Sequence, residues 1–289
     1  MIRRGGLIAA AAVALLLACR EQPAPAHPAL WRVDAPGGGE AFLFGTIHAL
    51  SRPADWQSPA IRAALSGSDR VVLEIADVAD AAALARQFAQ SARTSDAPPL
   101  SQRIDPALRP QLAHLLRKAG LSDDGFGEVK TWAAALILAR TGEGDHDRDN
   151  GIDRAVLAAA PGKPVAELEG TRAQLAIFDA LPETDQRDLL SAVVREGDLQ
   201  PGDDADLEQA WRNGAMNRIA AETSTGLLAD PELHAALFTG RNRAWTRQID
   251  AMLKAGGRPF VAVGAAHMAG PEGLPAMLAA QGYRVHRVQ

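Results

Sequence analysis

Phe260-Val261-Ala262-Val263-Gly264-Ala265-Ala266-His267-Met268-Ala269-Gly270 is an apolar run stopped by a glycine, with a histidine three residues beyond it. A short β-rich run bounded in this way predicts a buried strand, and the turn after such a strand is where an α/β sheet presents reactive side chains. Near the other end of the chain, Phe42-Leu43-Phe44-Gly45-Thr46-Ile47-His48 repeats the pattern, again as Gly-x-x-His. A single histidine of this kind can simply satisfy a backbone group at a strand end. Two of them on matching strands point to a cleft in which both imidazoles converge.

Working outward, Leu30 to Asp34, the turn Ala35 to Glu40, and Ala41 to Ile47 predict an antiparallel hairpin whose second arm ends in His48. Trp56 to Leu65 predicts a short helix, and Asp69 to Ile75 a strand carrying Glu74 in an otherwise apolar run. A buried carboxylate is costly unless it is paired or bound to a cation, so Glu74 is a candidate site residue. From about residue 80 the pattern turns helical. Leu108, Leu112, Leu115 and Leu116 share one face of a helix closed by Gly120, and Val129, Trp132, Ala133, Leu136 and Ile137 make the stripe of the next. Thr141 to Gly151 is a polar loop whose aspartates lack the EF-hand spacing. A helix follows, with Asp153 in the first turn where the dipole favours an acid, and then a short strand with Glu169 at its end. Arg241 and Asn242 interrupt an apolar face made by Leu233, Leu237, Trp245, Ile249 and Leu253, and spacing alone leaves both solvated. The chain closes with the strand before His267, a helix from Gly273 to Ala280, and a strand from Tyr283 to Val288. The expected fold is α/β, with a mixed central sheet built from both ends of the chain as pseudo-symmetric halves and a helical insertion over about 80–256.

The N-terminus belongs to another category. Met1-Ile2-Arg3-Arg4 and the apolar run from Leu7 to Ala18 form a charged and then a hydrophobic segment, too short to span a bilayer comfortably. The run ends at Leu16-Leu17-Ala18-Cys19, which resembles a bacterial lipobox. Residues 1–18 are therefore expected to be a lipoprotein signal peptide, Cys19 the lipidation site, 19–28 a linker, and 29–289 the folded domain. Arg20 is not the aspartate associated with inner-membrane retention, so the expected location is the outer membrane, facing the periplasm. Cys19 is the sole cysteine, which excludes internal disulfides, a thiolate metal cluster and a cysteine nucleophile in the mature chain. Removing residues 1–18 removes Arg3 and Arg4 and no acid, taking the formal charge from −5 to −7. A mildly acidic chain has no electrostatic case for nucleic acid.

Taken together, Gly45-Thr46-Ile47-His48, Val72-Leu73-Glu74, Gly151-Ile152-Asp153, Glu169 with Gln174, Arg241-Asn242 with Trp245, and Val263 to Gly270 with Gly273-Leu274 and Gly282 to Val285 resemble the TraB/GumN family. The animal relatives of that family are the TIKI metalloproteases. The resemblance covers Leu30 to the C-terminus and implies a fold similar to the erythromycin esterase and ChaN superfamily. It implies divalent-metal-dependent peptide hydrolysis in the TIKI branch, and Glu169-Gly170-Thr171 departs from the Glu-Thr more usual in the family.

On chemical grounds, two neutral imidazoles and one or two carboxylates suit Mn, Co or Zn with an open position for water. His48, His267, Glu74 and Glu169 are the expected ligands, with Glu74 as ligand or base. Arg241 and Asn242 are expected to contact the substrate, a peptide or small molecule, or its developing oxyanion. Two alternatives remain open. One is a metal-free esterase-like hydrolase with His48 as general base oriented by Glu74; the other is a non-catalytic envelope lipoprotein that binds haem or a peptide. Neither a His-Glu-x-x-His helix nor a Gly-x-Ser-x-Gly elbow is present.

Overall fold

The computed structural model describes residues 22–76, 81–140, 147–197 and 203–289. The expected signal segment, Cys19 and Thr141 to His146 of the polar loop lie outside the described residues.

The strands, in chain order, are β1 (Ala24–Pro25), β2 (Leu30–Asp34), β3 (Glu40–Thr46), β4 (Ala54–Asp55), β5 (Arg70–Leu73), β6 (Val165–Glu167), β7 (Pro259–Gly264) and β8 (Arg284–Arg287). Six of them form one mixed sheet in the order β6-β5-β7-β3-β2-β8. The hairpin β2–β3 is antiparallel as expected, and β3 lies parallel to β7 with Gly45 opposite Val263 and Thr46 opposite Gly264. The two Gly-x-x-His segments therefore leave the ends of adjacent parallel strands. The two halves interlock: the chain from β3 to β5 steps over β7, and the chain from β7 to β8 steps over β3 and β2.

Both faces of the sheet are covered, which is why its central strands are continuously apolar rather than alternating with polar residues. Phe44, Val71, Leu73, Phe260 and Ala262 pack on one face, and Ala41, Leu43, Val72, Val261 and Val263 on the other. The helices are α1 (Pro59–Gly67), α2 (Ala81–Ser91), α3 (Arg109–Ala119), α4 (Thr131–Ala139), α5 (Ile152–Ala159), α6 (Gly170–Asp179), α7 (Glu183–Glu196), α8 (Asp203–Arg212), α9 (Met216–Glu222), α10 (Pro231–His234), α11 (Gly240–Lys254) and α12 (Leu274–Ala280). A third core, away from the sheet, is built by α3, α4 and α7 around Trp132, which meets Phe88 edge-on at 5.6 Å and stacks on Phe178 at 6.0 Å.

Three local expectations change. The stripe on α4 is not the one periodicity gives: Ala134, Ala135 and Leu138 are fully buried with Trp132 and Ala133, while Leu136 and Ile137 are half-buried. An alanine-rich helix packed on most sides has no single apolar face to detect. Within the linker expected over 19–28, Ala24–Pro25 forms β1 and pairs with β4, and Ala26 is buried. Strand β5 ends at Leu73, so Glu74 lies just beyond the ladder, where a polar side chain can turn into a cleft.

Candidate functional site

The site begins where β5 stops. Leu168 N–H bonds to Leu73 C=O at 2.8 Å, and the N–H groups of Glu169 and Gly170 both donate to Glu74 C=O at 3.2 and 3.0 Å. This pairing carries Glu169 alongside Glu74. Gly170 adopts φ +73°, a left-handed conformation that glycine takes at least cost, and it opens α6. The inserted glycine in Glu169-Gly170-Thr171 thus serves the turn that places Glu169. On its other side, the Glu74 carboxylate accepts the Gly264 N–H at 2.7 Å, which ties β5 to the end of β7.

Arg241 fills the space between the acids. A π-helical turn over Ala235–Thr239 inserts an extra residue ahead of α11, and Arg241 and Asn242 face inward: the arginine side chain is 12 % exposed and Asn242 is 0 % exposed. This corrects the solvated placement that spacing suggests. Every N–H of the guanidinium has a protein acceptor. Nε donates to Glu169 at 3.0 Å; Nη2 donates to Glu74 at 2.7 Å and to Glu169 at 2.9 Å; Nη1 faces Leu237 C=O at 3.4 Å and His267 Nε2 at 3.2 Å. The group also lies 4.6 Å from the centre of the Trp245 ring. With five donors spent, the expected role of Arg241 as a hydrogen-bond donor to substrate or oxyanion has no donor left in this arrangement.

His267 is held from three sides. Its Nδ1 lies 2.7 Å from Asn242 Oδ1, and Asn242 Nδ2 donates to Glu272 C=O at 2.7 Å. Because that carbonyl can only accept, the amide orientation is set and His267 carries its proton on Nδ1. Asn242, expected as a substrate contact, is instead a buried group that sets the tautomer of His267. Phe238 stacks on the imidazole at 5.4 Å, and Trp245 tilts against it at 4.5 Å. Burial pushes the His267 pKa down to about 3, so the ring is neutral at physiological pH. Burial alone would raise the Glu74 pKa, but the Arg241 guanidinium and the Gly264 N–H hold it below the usual carboxylate range.

His48 differs in kind. Its side chain is 71 % exposed, and its Nδ1 lies 2.7 Å from Asp153 Oδ2, while Thr46 Oγ1 donates to Asp153 Oδ1 at 2.6 Å. A carboxylate accepts only, so Nδ1 carries the proton and Nε2 the lone pair. Asp153 reaches this position because Ile152 N–H bonds to Ile47 C=O at 2.9 Å, docking the start of α5 against the end of β3. Burial opposes ionisation of Asp153, but the adjacent His48 and the two side-chain hydrogen bonds lower its pKa. Asp153, whose place in the first turn of a helix suggests only a dipole acid, is a further candidate site residue. The orienting role expected of Glu74 toward His48 belongs to Asp153. Gln174 approaches Glu74 at 3.5 Å. A surface hollow lined by Ala35, Gly37, Lys254 and Tyr283 lies at the opposite end of the sheet, away from this chemistry.

A model of the TraB/PrgY/gumN family matches residues 29–287, a span that holds every strand of the six-stranded sheet and both Gly-x-x-His segments. The chain belongs to the TraB/PrgY/gumN family. Relatives include the uncharacterized protein YbaP of Shigella flexneri and that of Escherichia coli K12, each 28 % identical over 260 residues, covering 85 % of this chain and 90 % of theirs. No solved structure matches the chain significantly.

In this TraB/PrgY/gumN chain, five of the expected site residues meet in one cluster: Glu74, Glu169, Arg241, Asn242 and His267. His48 pairs with Asp153 beside it. Among the described residues no group of three or more His, Cys, Asp or Glu is arranged to hold a metal ion. The donor atoms of Glu74, Glu169 and His267 that a metal would use are turned onto one guanidinium, so this arrangement does not fit a metal centre.

Proposed function

We propose that the chain is a hydrolase that cleaves an acyl bond, ester or peptide, with His48 as general base. The observation that carries this reading is the His48–Asp153 pair: an exposed imidazole with its lone pair on Nε2, held through Nδ1 by a half-buried carboxylate that Thr46 fixes in turn. Nucleophile-activating histidines are built this way. In the reaction, His48 Nε2 takes a proton from water as the oxygen attacks the acyl carbon. The Asp153 carboxylate stabilises the imidazolium, and the same proton then passes to the leaving oxygen or nitrogen. The Glu74–Arg241–Glu169–His267 cluster supplies a rigid, charged floor at the strand ends.

A panel of p-nitrophenyl esters and internally quenched peptides tests the reading. Wild-type turnover of a panel member should fall about 10³-fold in kcat/KM in His48→Ala and about 10²-fold or more in Asp153→Asn. No turnover of any panel member, or equal rates in wild type and His48→Ala, would remove His48 as the base.

The same proposal places the protein in the cell envelope, anchored through Cys19 at the outer membrane. It is supported by the charged Met1 to Arg4, the apolar Leu7 to Ala18 and the cysteine that follows. Among the described residues no helix is long and apolar enough to cross a membrane. The protein should sediment with membranes and Cys19→Ala should not; a soluble wild-type protein overturns the anchor.

A further inference from the structure

We infer that Arg241 is the resident cation of the acid–histidine cluster, so that the pocket at the ends of β5 and β7 is built for a guanidinium where a divalent metal would otherwise be expected. Three observations converge. The first is stoichiometric: Glu74, Glu169 and the lone-pair nitrogen of His267 all direct their acceptor atoms at the same side chain. The second is geometric. These acceptors stand 2.7–3.2 Å from nitrogens spread around the planar guanidinium fork, whereas a metal gathers its ligands within about 2.0–2.2 Å of a single point. The acceptors are therefore spaced for the fork. The third is the packing of the cation's faces and stem: Trp245 lies 4.6 Å from the guanidinium carbon, and Leu237 C=O takes the remaining N–H. A bare metal ion would use neither contact.

The π-helical turn supports this assignment. It sits immediately before Arg241, and a Cβ added at Gly240 would stand 2.6 Å from Ala235 C=O. The backbone is thus shaped to bring this arginine into the cluster, a local cost that a solvated arginine would not require.

The inference stands apart from the proposed reaction, because its readouts are bound ligand and thermal stability, and a failed hydrolysis assay leaves it intact. Wild-type protein is dialysed against a chelator and then against Mn, Co or Zn alone, with His267→Ala as the control for exposed histidines. Less than about 0.1 equivalents of metal dependent on His267 is expected. One equivalent bound by wild type and lost in His267→Ala overturns the inference.

The second arm uses Arg241→Ala with millimolar methylguanidinium, and methylammonium at equal concentration as the control. Refilling the pocket should raise the thermal midpoint of the variant by about 3 °C or more over the control. A folded variant that ignores methylguanidinium, or that responds equally to methylammonium, also overturns it. Should Arg241→Ala not fold, the wild-type metal measurement alone decides.

Discussion

Arg241→Met is expected to lower folding stability at neutral pH by about 3–5 kcal/mol, read from denaturant midpoints. The size follows from what the arginine leaves behind rather than from the strength of the pairs it makes. Glu74 and Glu169 have side chains only 10 % and 9 % exposed, and their nearest cation is this guanidinium. Without it, two carboxylates sit side by side in a poorly solvated pocket, and either the pocket opens or a proton is taken up. Neutralising the acids should therefore reverse the loss: the triple variant Arg241→Met, Glu74→Gln, Glu169→Gln is expected to regain more than half of it. A loss below about 1 kcal/mol, or a triple variant no better than the single one, would mean that water already screens the cluster.

His267 gives the second large effect, and its sign is fixed by burial. Its pKa in the folded chain is lowered to about 3, from the usual 6.5. Between these values the unfolded chain binds a proton that the folded one refuses. The stability associated with this histidine is therefore fully present above about pH 6.5 and is lost as pH falls toward 3, at ~1 kcal/mol per pH unit. Glu74 and Asp153, whose pKa values are lowered, act in the same direction but only below the ordinary carboxylate range. The window from about pH 5 to 6.5 thus lies above the carboxylates, and the comparison with a His267 variant singles out this imidazole. Unfolding midpoints measured across it should slope steeply in wild type and flatten in His267→Gln. Equal slopes in the two proteins would show that His267 is not held neutral.

These two effects concern the cluster, while the proposed chemistry concerns His48, and the division was only partly legible in the sequence. Both histidines carry the same Gly-x-x-His signature, so spacing makes them equivalent. They differ because of what packs on them. His267 is enclosed by Phe238, Trp245 and Asn242, which arrive on the π-helical turn and α11, whereas His48 opens to solvent and bonds to Asp153 at the start of α5. Contacts between residues tens or hundreds of positions apart leave no periodic trace along the chain.

The sheet itself was readable. Its central strands are short apolar runs bounded by glycine and polar residues, because a strand covered on both faces must be apolar throughout, and the hairpin at Leu30 to Thr46 declares itself through its turn. The candidate residues at the strand ends were readable for a related reason: a carboxylate or histidine beside an apolar run is out of place unless something partners it.

The sequence by itself determined that there would be a two-ended α/β sheet with His48, His267 and Glu74 at one rim. Only the tertiary structure decided the partners. It gave His48 to Asp153, a residue that local reasoning assigned to a helix dipole, and it gave Glu74, Glu169 and His267 to Arg241, a residue that local spacing left in solvent. The physical reason is that burial of an apolar run is a property of neighbouring residues in the chain. Neutralisation of a buried charge is a property of whichever group the fold brings within hydrogen-bonding distance.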